Sequence, residues 1–176
     1  MALLCCTKKL RDKLPGKGEV AETKEVESGE DDWYGNLFRL GRRQAVIFTH
    51  AESLYSFIID KIGKKHGGQI LVLFRAGLEQ RLKRDGFSQR QIKKVLEGVE
   101  DMRIGASRSR SVLGSMNDMV NSARYMFYYY QGEYEDIIEE IMVRINRTPM
   151  SAIDYKYPVE KFGQYCLEKG ERKSTS

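Results

Sequence analysis

The stretch WYGNLFRLGRRQAVIFT, residues 33–49, decides the fold class. Two apolar runs, 33–40 and 44–49, are joined by Gly41-Arg42-Arg43. A short glycine-containing connection between two such runs marks a β-hairpin, because glycine supplies the positive φ that a tight turn needs. The second run, Ala45-Val46-Ile47-Phe48, is continuous and not alternating. A strand of that kind is apolar on both faces and belongs inside a sheet covered on both sides.

Working outward, LLCCT at 3–7 reads as a short strand. Residues 15–32 are poor in large apolar side chains and rich in Gly, Glu and Lys, which predicts a mobile loop. After the hairpin, Thr49-x-x-Glu52 fits a helix capping box, with Leu54, Tyr55, Ile58, Ile59 and Ile62 as the apolar stripe behind it. Ile70, Phe74, Leu78, Arg81 and Leu82 recur at helical spacing until Asp85-Gly86. Ser88-x-x-Gln91 caps the next helix. Residues 102–105 fit another short strand.

The longest periodic element starts near Ser109 or Ser111 and runs through Val112, Met116, Met119, Val120, Ala123 and Phe127 to Tyr130. It predicts a helix of about five turns. Ile137, Ile138, Ile141 and Ile145 mark another, and Pro158 fits the first turn of a last one. Residues 170–176 read as a disordered tail. The total is an α+β fold, a small antiparallel sheet of three or four strands packed with five or six helices, in one domain over 1–176.

Composition sets the remaining bounds. With 176 residues, 41% hydrophobic and 31% charged, the chain has a globular make-up. Cys5, Cys6 and Cys166 are odd in number and two are adjacent, which argues against a disulfide framework and for packing as small hydrophobes. No apolar run reaches the roughly 18–20 residues of a membrane span, and the start is charged too soon for a signal peptide. The reading is a cytoplasmic protein with no membrane partner. The net charge of +5 is unevenly spread: 61–94 is strongly basic, whereas 133–140 holds five acids and no base. Such a field steers anionic partners toward one face.

Three polar strings are candidates for function. Ser107-Arg108-Ser109-Arg110-Ser111 precedes the long helix, where free N–H groups and a partial positive charge favour an anion. The bland reading gives one serine to the cap and the arginines to surface carboxylates. Asn117, Asp118 and Asn121 lie off the apolar stripe of that helix, and a solvated face explains them equally well. Asn146-Arg147-Thr148-Pro149-Met150, followed by Tyr155-Lys156-Tyr157-Pro158, is either a recognition loop or a packed connector. Phosphate-binding, dinucleotide and serine-hydrolase motifs are missing. His50 and His66 have no metal-ligand spacing, so neither a cofactor nor a metal is expected, and His50 reads as structural.

CTKKL at 6–10, W-x-x-N-L-x-R at 33–39, VIFT at 46–49, SRSVLGSMND at 109–118 and NRTPM with YKYP over 146–158 resemble a family of small bacterial proteins of unknown function. The resemblance implies a bacterial, cytoplasmic single domain and carries no activity or cofactor. It puts weight on Arg110, Ser111, Asn117, Asp118, Asn146 and Arg147 without giving them roles.

Three functions stay open. The preferred one is a non-enzymatic binding module for an anionic partner, nucleic acid or a phosphorylated ligand, contacted by Arg108, Arg110, Lys8, Lys9 and Arg147. A protein-interaction subunit would use the acidic 133–140 face and Tyr128-Tyr129-Tyr130. A hydrolase or nuclease-like enzyme would use Asp118 and Asn117 near Arg110.

Overall fold

Leu3–Cys6 forms β1, Trp33–Leu40 β2 and Arg43–His50 β3. The expected hairpin is present: β2 and β3 pair antiparallel from Trp33↔His50 to Leu40↔Arg43. Gly41 takes φ 61° at the turn, and a Cβ there would sit 2.7 Å from the Phe127 ring. Along β3, Ala45 and Ile47 enter one core while Val46 and Phe48 enter the other, all fully buried. The continuous apolar run is therefore a strand covered on both faces.

The coordinates come from a computed structural model that describes residues 2–14 and 29–172. Of the loop expected over 15–32, residues 15–28 lie outside that range, and 29–32 form a turn. Asp32 is buried there and accepts from the Leu3 amide at 2.9 Å and the Gly29 amide at 2.7 Å. Of the tail expected over 170–176, residues 173–176 lie outside the described range, and 170–172 are helical.

The helix expected after Thr49 does not form. Ser56–Asp60 is instead a strand, β4, paired antiparallel with β3 from Thr49↔Ser56 to Ala45↔Asp60. Thr49 caps no helix, since its Oγ1 meets Ser56 Oγ at 2.8 Å. Leu54 takes φ 60° and turns the chain back. The stripe Tyr55, Ile58, Ile59 has helical spacing, yet SFIID at 56–60 is also a plausible strand, and pairing with β3 decides.

Arg103–Ala106 is β5. The sheet order is β4-β3-β2-β1-β5. β1 runs parallel to both β2 and β5. The sheet is thus five-stranded and mixed, not an antiparallel sheet of three or four strands. The helices are α1 (Lys8–Arg11), α2 (Ile70–Arg84), α3 (Gln89–Gly98), α4 (Arg110–Tyr129), α5 (Tyr134–Ile145) and α6 (Pro158–Arg172). No helix among the described residues is long and apolar enough to cross a membrane.

Two cores result. On one face Phe74 and Leu78 of α2, Ile92 of α3 and Phe162 of α6 pack on Trp33, Phe48 and Phe57. On the other face Met116 and Val120 of α4 and Ile141 of α5 pack on Tyr34, Phe38 and Ile47. The outer edge of β4 is closed by side chains. Asn146 takes both backbone groups of Ser56, and the Ile58 amide faces Met142 Sδ at 3.4 Å. Covering an edge in this way blocks pairing with a foreign strand. Arg81, almost fully buried, pairs with Asp85 at the end of its own helix at 2.9 Å and joins α2 to α5 through Glu139 at 2.8 Å.

Candidate functional site

The parallel strands β1 and β5 end side by side, with Cys6 opposite Ala106. The Ser107 amide donates to Cys6 O at 3.1 Å, and the Thr7 amide donates to Gly35 O at 3.0 Å. Each strand then passes into a helix. Thr7 caps α1, its hydroxyl accepting from the Leu10 amide at 3.4 Å and meeting Asn36 Oδ1 at 3.0 Å. Ser109 caps α4, its hydroxyl accepting from the Val112 amide at 3.2 Å, while its own amide donates to the Tyr34 hydroxyl at 3.2 Å.

The two helices leave on opposite faces of the sheet. Leu10 of α1 enters the core with Trp33 and Phe48, whereas Val112 of α4 enters the core with Tyr34 and Ile47. Neighbouring parallel strands whose following helices diverge make a topological switch point, the place where open α/β sheets accept ligands. Lys8, Lys9, Arg110 and Ser111 are exposed at this end, and Arg108 is half-buried. The fold thus joins a basic pair early in the chain to the arginine-serine string before α4.

The thiols beneath this end are inert. Burial and the Asp32 charge push Cys5 up to about 12 against the pull of the Arg108 charge, and burial pushes Cys6 up to about 12 as well. A thiol of that kind is no nucleophile at neutral pH.

The other predicted site residues are not gathered here. Asn117 and Asp118 are exposed on α4, about 10 Å along the axis from Arg110 by helical rise. Arg147 is exposed and lines a shallow groove with Asn121, Ser122 and Tyr125 farther down that helix. Asn146 is buried and holds β4: it accepts from the Ser56 amide at 2.8 Å and donates to Ser56 O at 2.7 Å and Met142 O at 3.0 Å. No donor or acceptor of its amide faces solvent, so its part is structural. Tyr125, Tyr128 and Tyr129 are exposed at the end of α4.

Sequence reasoning missed a second feature. Asp31, Trp33, Tyr165, Cys166 and Lys169 line a cavity between α3 and α6. Asp31 sits in the stretch read as a loop, so nothing local linked it to α6. The signal within reach was the spacing of Tyr165 and Lys169, one turn apart on the helix that begins at Pro158.

This arrangement defines an α+β domain with a mixed sheet and a basic end at its switch point. The chain belongs to the family described as a domain of unknown function (DUF6933), whose model matches residues 3–161. That span takes in the basic end of β1 and β5 with Lys8, Lys9, Arg108 and Arg110, and stops short of Tyr165, Cys166 and Lys169. No curated protein matches the chain.

Proposed function

We propose that the protein is a non-enzymatic binding module for a phosphate-bearing partner, which docks outside the carboxyl ends of β1 and β5. The observation that supports this reading is the meeting of Lys8 and Lys9 with Arg108 and Arg110 at the divergence of α1 and α4. Arginine beside a capped helix start offers planar, charge-assisted donors to phosphate oxygens. Lysines in the first turn of α1 add point charges without fixed geometry. Buried neutral thiols and the dispersal of Asp118 from Arg110 weigh against a covalent or hydrolytic role.

The test uses heparin retention and binding of a short single-stranded oligonucleotide, each with inorganic pyrophosphate as competitor. The protein is expected to be retained at low salt and released as salt rises. Lys8→Glu combined with Arg110→Glu is expected to abolish retention with the fold intact by circular dichroism. Pyrophosphate that displaces the oligonucleotide points to a small phosphorylated ligand, and failure to displace points to a nucleic-acid backbone. Absence of retention at low salt, or retention unchanged in the double variant, overturns the reading.

A further inference from the structure

Toward the other end of the sheet, where β2 begins and β3 ends, α3 and α6 enclose a cavity of about 200 Å³. Trp33, Phe162 and Tyr165 supply aromatic walls, and Val95, Val99 and Cys166 complete the apolar lining. Protein interiors are close-packed, so a cavity of this size needs walls that cannot fall inward.

The walls here are locked. Trp33 meets His50, Phe74 and Phe162 edge-on, with ring centroids 5.1, 5.3 and 5.9 Å away. Tyr165 stacks on Phe162 at 5.4 Å and lies 4.5 Å from the His50 ring. The Tyr165 hydroxyl is tied to Asp31, and Lys169 holds the same carboxylate at 2.9 Å. A cavity held open by such contacts is pre-organised for a ligand.

Charge selects the ligand class. Both Asp31 oxygens are engaged, one by Tyr165 and one by Lys169. Lys169 is neutralised in turn by Asp31, while Glu30 lies 3.7 Å from it and pairs more closely with Arg172, at 2.9 Å. Lys94 also lines the cavity, and among the described residues it has no ion-pair partner. Its ammonium reaches across to α6, lying 3.0 Å from the point a Cβ of Gly170 would occupy. Among the residues that line the cavity the charges of Asp31 and Lys169 cancel, which leaves that of Lys94. An engineered apolar void of about 150 Å³ admits benzene, so the space here suits one ring with a short acidic arm.

We propose that this cavity is a binding site for a small aromatic carboxylate, with its ring against the wall formed by Trp33, Phe162 and Tyr165 and its carboxylate on Lys94. The site shares no residue with the basic end of β1 and β5 and stands independently of the function assigned there.

Trp33 is the only tryptophan in the chain, so tryptophan emission comes from a wall of the cavity. Hydrocinnamate is the probe, with hydrocinnamyl alcohol as neutral control and phenethylamine as cationic control. Hydrocinnamate is expected to give a saturable change with a Kd on the order of 1 mM or tighter. The alcohol is expected to bind more weakly and the amine not at all. Lys94→Ala is expected to weaken the acid about fivefold or more and to leave the alcohol unchanged. Cys166→Phe fills the cavity and is expected to block both. Lys94 is only half-buried, so its variant keeps the test decisive should Cys166→Phe fail to fold. A non-saturable response to the acid, equal binding of the amine, or an unchanged acid affinity in Lys94→Ala overturns the proposal.

Discussion

Asn146 and Ser56, 90 residues apart, are bound to each other through both backbone groups of Ser56. The side-chain amide of Asn146 replaces the strand that β4 lacks on its outer side. We expect Asn146→Ala to destabilise the fold by about 2–4 kcal/mol, because it strands a buried N–H and a buried C=O. Urea denaturation measures this, and retention on heparin should be unchanged.

His50 sets the response of stability to acid. Burial depresses its pKa to about 3, so the folded protein holds the ring neutral while the unfolded chain protonates near pH 6.5. The unfolded state then binds more protons, and stability falls as the pH drops below that value. The expected loss approaches about 1.4 kcal/mol per pH unit between roughly pH 6 and pH 4. Asp31 acts lower on the scale. Burial works to raise its pKa, but hydrogen bonds from Tyr165 and Lys169 and the Lys169 charge outweigh it, so its carboxyl is held below the usual value. Its contribution is complete above an unfolded pKa of about 3.9 and fades as the pH falls through the folded value. Urea midpoints against pH separate the two windows, and His50→Phe should remove only the upper one.

Arg81 is nearly as buried as the aromatic core, and its two carboxylate partners lie on different elements. Arg81→Ala is expected to cost about 3–5 kcal/mol, because it leaves the buried Asp85 carboxylate uncompensated. Glu139→Gln should cost less. A double-mutant cycle of these two changes should be strongly non-additive, since both remove the same ion pair.

At the basic end, the slope of log binding constant against log salt counts phosphate contacts. Arg110→Gln should lower its magnitude by about 1 for an oligonucleotide probe. Arg147→Gln should leave the slope unchanged, because Arg147 lies in the groove with Asn121 and Tyr125.

Gly41→Ala combines a φ of 61° with a contact at 2.7 Å to the Phe127 ring. A loss of about 2–4 kcal/mol is expected, the sum of left-handed strain and overpacking. Gly86→Ala has φ 83° but nothing within 4 Å of its new Cβ. It should lose only about 1–2 kcal/mol in the same denaturation assay.

The elements that could be read along the chain were those whose signal is local. Gly41 announced its turn, Ser88 with Gln91 its cap, and the Val112 to Tyr130 stripe its helix. What failed was pairing at a distance. Nothing near Ser56 says that it will bond Asn146, so an apolar stripe with a chance Thr49-x-x-Glu52 in front of it read as a helix. Nothing in LLCC says that the strand will lie parallel to its neighbours, and that orientation is what brings the end of β1 beside Ser107. The Arg108 and Arg110 string was legible because its chemistry lies within five residues. The cavity at Trp33 was not, because its walls come from three segments that only the folded sheet unites.

The place of β1 between β2 and β5 has a consequence in time. Leu3–Cys6 is made about 100 residues before Arg103–Ala106, one of its two neighbours. At about 5–20 residues per second, a ribosome leaves one side of this apolar strand without its partner for roughly 5–20 s. Thr7 and Lys8 must wait equally long for Ser107 and Arg108, so the basic end is assembled only after β5 has emerged. A nascent chain with such an unpaired strand invites chaperone capture, and slowing translation between residues 10 and 100 would lengthen that window without altering a single contact of the finished protein.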